Sequence, residues 1–337
     1  MRAVRRRTLL KAFALSPGVL LAGAAAAAAS PYAAAGPFAA AVGDLRWTDA
    51  SRGRPLPLRL RLPAGQAPLA VVLFSHGLGG ALSAGQFWAE HWASHGLAVI
   101  HLQHPGSDQS VWQGAPRPAE ALRQAASGEQ LAARVADVKF VLDELARRRV
   151  STDPADAWVR RLDLERIGMS GHSFGAVTTQ AIAGQAYGRG GAPLADPRPR
   201  AFIAFSPSSR AADAQEFAGI TRPFLALTGT ADGAVAPGLG VAPGQRRAVF
   251  DALPPGNKML VWLTGADHMI FSGSPRIDRA ASNTRPDPAL DELHQRVVCA
   301  VSLAFWRAHL LDDAAARTWL QHEAAAFVGN SGEVLTR

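Results

Sequence analysis

The chain has 337 residues, of which 48% are hydrophobic, 18% charged and 7% aromatic. This globular balance excludes collagen-like, coiled-coil and extensively disordered classes. The formal net charge of +8 gathers at the start: Arg2, Arg5, Arg6, Arg7 and Lys11 precede the first acid, Asp44, and the remainder carries 30 basic against 27 acidic residues. A nucleic-acid partner needs a basic face on the folded domain, so that class is excluded too.

In chain order, residues 1–35 have the layout of a secretory signal: a basic stretch, a modest apolar stretch and a run of small residues. RRTLLK at 6–11 resembles the twin-arginine export motif, and cleavage is expected near Ala29 or Ala35. Pro17 interrupts the apolar stretch, which argues against an uncleaved anchor. No later segment has 18 consecutive apolar residues, so the mature form is expected to lack a stable membrane span and to be exported, either to the periplasm or out of the cell. The single cysteine, Cys299, permits no intrachain disulfide and reads as a small buried hydrophobe within VVCAVSLAFW.

Residues 36–330 are read as one domain. Residues 55–63 (PLPLRLRLP) alternate with period two, as a half-buried antiparallel edge strand does. Buried strands are expected at 67–77, 97–102, 166–171, 201–206, 224–229 and 259–265. Between them fall helical stretches. The clearest covers 127–148, where Ser127 and Gln130 have capping-box spacing and Leu131, Val135, Val138, Leu142 and Leu145 recur at helical steps. Another covers 290–309. Strands alternating with helices predict an α/β fold with a mostly parallel central sheet and helices on both faces. The Gly- and Pro-rich stretches at 188–199 and 236–244 read as loops within this domain. Ligands of such sheets bind beyond the carboxyl ends of the strands, and the candidate residues fall there.

GHSFG at 171–175 sits between the strand-like RIGM and a plausible helix, AVTTQAIAGQA. The G-x-S-x-G spacing suits a sharp strand-to-helix turn that lifts a serine hydroxyl clear of the backbone, which makes Ser173 the candidate nucleophile. A tetrahedral oxyanion needs two aimed donors. The N–H of Phe174, at a helix start, is one candidate, and the N–H of Leu78, in the glycine-rich SHGLGG after the first buried strand, is the other. Of ten histidines, His268 in GADHMIFSG directly follows the last predicted strand, where the general base belongs when the chain order is Ser, acid, His. His172 and His76 are read as pointing elsewhere or structural. Asp232 in TGTADG directly follows the strand FLALTG and is the candidate acid. Asp267 is a sequence neighbour of the base and points the opposite way, and Asp196 lies at the wrong end of the sheet.

FSHGLGG, GHSFG, TGTADG and ALPPGNKMLVWLTGADHMIFSG, in this order, resemble the α/β-hydrolase superfamily, and within it the bacterial serine esterases similar to platelet-activating-factor acetylhydrolase or described as predicted dienelactone hydrolases. The resemblance spans about residues 45 to 310. It implies an α/β-hydrolase fold and a triad of Ser173, Asp232 and His268, with Leu78 and Phe174 as oxyanion donors. Two departures stand out. Where the acetylhydrolase carries its acid, after the strand that follows the nucleophile helix, this chain has Ser206. Dienelactone hydrolases use a cysteine nucleophile, and this chain has Ser173.

The expectation is therefore an exported hydrolase of carboxylic ester bonds whose partner is a small-molecule or lipid ester. A polyester or cutin-like depolymerase with the same triad is the alternative, and a non-catalytic binding protein on the same scaffold is a third reading. No cofactor fingerprint is present and the mechanism needs none. No metal-ligand cluster stands out, since the HLQH histidines His101 and His104 lack companion acids at usual spacings. No insertion between strands is long enough for a large lid. Phe87, Trp88, Trp92 and Trp112 are candidates for either core or cleft lining.

Overall fold

The computed structural model describes residues 30–64, 68–187, 194–233, 241–274 and 287–337. The twin-arginine-like stretch, both expected loops in part (188–193 and 236–240) and residues 275–286 after the predicted base lie outside the described residues. Among the described residues no helix is long and apolar enough to cross a membrane.

The chain runs through β1 (Ala40–Asp49), β2 (Arg54–Pro63), β3 (Leu69–Ser75), α1 (Gln86–Ser94), β4 (Ala98–Leu102), α2 (Pro118–Ala125), α3 (Gly128–Arg149), β5 (Leu162–His172), α4 (Phe174–Ala183) and β6 (Pro199–Phe205). It continues through α5 (Ala214–Phe217), β7 (Phe224–Ala231), α6 (Pro243–Ala252), β8 (Lys258–Asp267), α7 (Pro288–Leu310), α8 (Ala314–His322), α9 (Ala324–Val328) and β9 (Gly332–Thr336). The strands form one sheet in the order β1-β2-β4-β3-β5-β6-β7-β8-β9. The six strands from β4 to β8 in this order are parallel, and β1, β2 and β9 pair antiparallel at the two sides. The expected α/β architecture with a mostly parallel sheet is present.

Every residue of β3 is buried, as a strand covered on both faces requires. Ala70, Val72 and Phe74 face one layer, with Trp88 and Trp92 of α1 and Val301, Phe305 and Trp306 of α7. Val71 and Leu73 face the other, with Val135, Val138 and Leu142 of α3 and Ala176 and Ala181 of α4. Ser127 caps α3 as its spacing predicts, accepting from the Gln130 N–H at 3.2 Å. Cys299 is buried on α7, and burial pushes its thiol up, away from reactivity.

The margins of the fold differ from expectation. β2 is not the edge strand, because β1 pairs with it over its whole length. Most β1 residues are exposed, so its sequence carries little alternation to read. At the other side, β9 adds a strand to β8 beyond the expected domain end at 330; its GEVLT has almost no fully buried face and is recruited by backbone pairing. At the start, Tyr32 falls inside the expected leader yet is buried, edge-on to the Trp319 ring at 5.2 Å, and its carbonyl accepts from His91 Nε2 at 2.9 Å. The expected boundary at residue 35 therefore falls inside the packed fold.

Candidate active site

β3 has β4 on one side and β5 on the other. The chain therefore reverses its direction of sheet growth between β3 and β5, the place where open α/β sheets bind ligands beyond the carboxyl ends of their strands. Both the glycine-rich loop 76–80 and Ser173 lie there. Ser75 is paired with Gly171 in the β3–β5 register, which brings the next residues of each strand together.

Ser173 has φ 56° and ψ −115°, a conformation that costs a non-glycine residue about 1–3 kcal/mol. It persists because the flanks are locked. The Ser173 N–H donates to the Phe205 carbonyl at 2.9 Å, and its own carbonyl receives the Val177 N–H at 3.1 Å. The two motif glycines are required by contact: a Cβ on Gly171 would strike the Gly175 carbonyl, and one on Gly175 would strike the Ser75 carbonyl. The turn leaves Ser173 half-buried rather than enclosed.

β7 and β8 end with Ala231 paired to Asp267 after an irregularity in register, so the residues that follow, Asp232 and His268, emerge side by side. The His268 Nδ1–H donates to Asp232 Oδ1 at 2.7 Å. Thr228 Oγ1 donates to the second carboxylate oxygen at 2.7 Å. Arg246 of α6, itself buried, places Nε 2.8 Å from Oδ1 and 2.8 Å from the Asp232 carbonyl. Burial pushes the fully enclosed Asp232 carboxyl up, but the His268 hydrogen bond and charge, the Arg246 charge and the Thr228 hydroxyl together hold it below the usual carboxylate range.

His172, read from sequence as pointing away, instead joins the two halves of the site. Its Nε2 donates to the His268 carbonyl at 3.0 Å, and the two rings lie 4.6 Å apart. Burial and the neighbouring His268 keep this imidazole neutral by pushing its pKa well down. Sequence reasoning also missed Thr228 and Arg246. Thr228 had a weak signal, lying four residues before Asp232 on the same strand; Arg246 had none.

Among the described residues, neither the Leu78 N–H nor the Phe174 N–H has a hydrogen-bond partner. Phe174 is the first residue of α4, where the unpaired amides and helix dipole favour an anion.

The rejected candidates have other occupations. Asp267 Oδ1 accepts the Met269 and Ile270 N–H groups at 2.9 Å each, capping the turn after β8. Asp196 holds Arg198 at 2.6 Å before β6. Ser206 is fully buried with φ 53°, and its carbonyl accepts from Arg246 Nη1 at 2.9 Å. The HLQH histidines each have both ring nitrogens engaged: His101 by Arg61 and the Ala84 carbonyl, His104 by Ser75 and Asp137. Among the described residues no group of three or more His, Cys, Asp and Glu side chains is arranged to hold a metal ion. Of the aromatic set, Trp88 and Trp92 are core, whereas Phe87 and Trp112 are exposed. Trp112 stands at the site, its Nε1 donating to the Gly79 carbonyl at 2.8 Å. No family model matches the chain, and no curated protein matches it.

Proposed function

We propose that this chain is a serine hydrolase of carboxylic esters with an α/β-hydrolase fold, acting through Ser173, His268 and Asp232 on small or lipid-like esters, and that it is exported. The observation that carries the reading is a strained strand-to-helix serine and a buried Asp–His pair, each directly after a strand of one parallel sheet. The chain order Ser, Asp, His and the donor loop between β3 and α1 support the fold assignment.

The mechanism follows from the hydrogen bonds. Because Nδ1 of His268 donates to Asp232, Nε2 is left unprotonated and able to accept the Ser173 proton. Ser173 Oγ then attacks the ester carbonyl carbon, and the carbonyl oxygen becomes an oxyanion. The free N–H groups of Leu78 and Phe174 receive that charge, each contributing about 3 kcal/mol to the barrier reduction. His268 returns its proton to the departing alcohol, water attacks the acyl-enzyme with His268 again as base, and the acid leaves. Asp232 stays ionised throughout, its charge held by Thr228 and Arg246.

The test is turnover of p-nitrophenyl esters from acetate to palmitate by wild type and Ser173→Ala. The reading expects turnover in the wild type and a loss of about 10⁶-fold in the variant. Equal rates in the two proteins would overturn it.

A further inference from the structure

Behind the donor loop lies a guanidinium that the mechanism above does not use. Arg134 of α3 is fully buried. Its Nη1 donates to the His76 carbonyl at 2.7 Å, its Nη2 to the Gly77 carbonyl at 3.3 Å, and its Nε to Ser107 Oγ at 2.8 Å. The same guanidinium lies 4.5 Å from the centre of the Phe174 ring. We infer that Arg134 is a positioning residue for the oxyanion site, fixing the direction of the Leu78 N–H from behind and steadying Phe174, which carries the second donor. The inference rests on the reading of Ser173 as the nucleophile.

The direction follows from the peptide plane. In a trans peptide the C=O of one residue and the N–H of the next point opposite ways. The Gly77 carbonyl is drawn toward the interior by Arg134, by the Gly80 N–H at 3.1 Å and by His76 Nδ1 at 2.6 Å. His76 is a donor there because its Nε2 accepts the His104 N–H at 2.9 Å, which leaves the proton on Nδ1. With its own carbonyl side so held, the Gly77–Leu78 peptide turns the Leu78 N–H outward, where it meets no protein acceptor among the described residues. Charge adds to direction. A cation behind aligned peptides polarises them toward the developing oxyanion, and in a dry interior that effect is not screened by water. Burial pushes the Arg134 guanidinium down from its usual range, Asp137 and Asp108 oppose the shift, and arginine's high intrinsic value keeps it charged at neutral pH.

The experiment compares wild type, Arg134→Lys and Arg134→Met on the preferred p-nitrophenyl ester, with a trifluoromethyl ketone of the same acyl chain as the tetrahedral, oxyanion-bearing probe. The expected result for Arg134→Met is a kcat about 100-fold lower, KM within about threefold, and ketone affinity reduced in step with kcat. Arg134→Lys should recover part of both losses, because it restores the charge without the fork of donors. A merely structural role would not tie ketone affinity to kcat. If Arg134→Met does not fold, Ser107→Ala removes the Nε acceptor more gently and should lower kcat several-fold at constant KM. A folded Arg134→Met, or failing that a folded Ser107→Ala, that turns over at the wild-type rate, or whose loss falls wholly on KM, overturns the inference while Ser173-dependent wild-type turnover leaves the parent reading standing. A wild type without Ser173-dependent turnover overturns both.

Discussion

The His172 side chain donates through Nε2 to the main-chain carbonyl of His268 at 3.0 Å, tying the serine turn to the segment after β8. Ser173 and His268 come from strands that are not neighbours, since β6 and β7 lie between β5 and β8. Their relative placement therefore depends on contacts made above the sheet, and His172 supplies one of them. His172→Ala is expected to lower kcat about 10- to 100-fold with KM little changed, the usual scale for a small misplacement of catalytic groups. His172→Gln, which retains an N–H donor, should lose less. Steady-state kinetics of the two variants checks this, and equal losses in both would remove the hydrogen bond from the account.

Asp232→Asn leaves the volume of the side chain nearly unchanged but offers His268 an acceptor or a donor with no charge. Arg246 and Thr228 would still hold the segment in place. The expected loss in kcat is about 10⁴-fold, with KM nearly preserved, because the imidazole loses both its tautomer and the stabilisation of its charged form. A kcat within tenfold of wild type would mean that another carboxylate orients the base.

The pH dependence of stability should be set by buried neutral imidazoles, His172 at the candidate site among them. Burial, reinforced by Arg61 at His101 and by Arg134 at His104, holds these two rings at about 3 and about 4, and burial alone is the main cause holding His91 at about 4. All three fold neutral, whereas the unfolded chain protonates them near 6.5. Between these limits the unfolded state binds more protons, so stability falls as pH is lowered from about 6.5 toward 4. Asp232, held below the usual carboxylate range, adds its own loss only at still lower pH. Thermal unfolding midpoints in steps from pH 8 to pH 4 should stay level at first and then drop below about 6.5. A midpoint constant down to pH 4 would contradict the burial of these neutral rings.

Much of this fold can be read from the sequence, and the unreadable parts share a physical cause. The inner strands β3 to β8 announce themselves through continuous apolar runs, since both faces are buried. β1 and β9 do not, because strands recruited at the margins of a sheet are held by backbone pairing and keep most side chains in solvent. The site divides the same way. What is legible of the proposed triad is that Ser173, Asp232 and His268 each directly follow a strand. His172, Arg134 and Arg246 act through space on main-chain carbonyls, and no spacing in the sequence connects Arg134 to Gly77 or Arg246 to Ser206.

Trp112 is exposed at the donor loop, with Nε1 tied to the Gly79 carbonyl. An aromatic surface held there offers apolar contact to an acyl chain. Trp112→Ala is expected to raise KM about 10-fold for long-chain esters and to change KM little for acetate, a difference that matches the burial of a few methylenes. Trp112→Phe should keep most of the chain-length preference. KM measured across the p-nitrophenyl series decides it, and an equal rise for acetate and palmitate would place Trp112 in loop support alone.

The most direct test of the central claim is covalent. A fluorophosphonate reacts with a serine only where a base activates it and an oxyanion site receives the phosphonyl oxygen. Peptide mass spectrometry of the labelled protein should show one phosphonyl adduct, on Ser173, and no adduct in Ser173→Ala. An unlabelled Ser173 under conditions that saturate known serine hydrolases, or an adduct on another residue that persists in Ser173→Ala, would contradict the account.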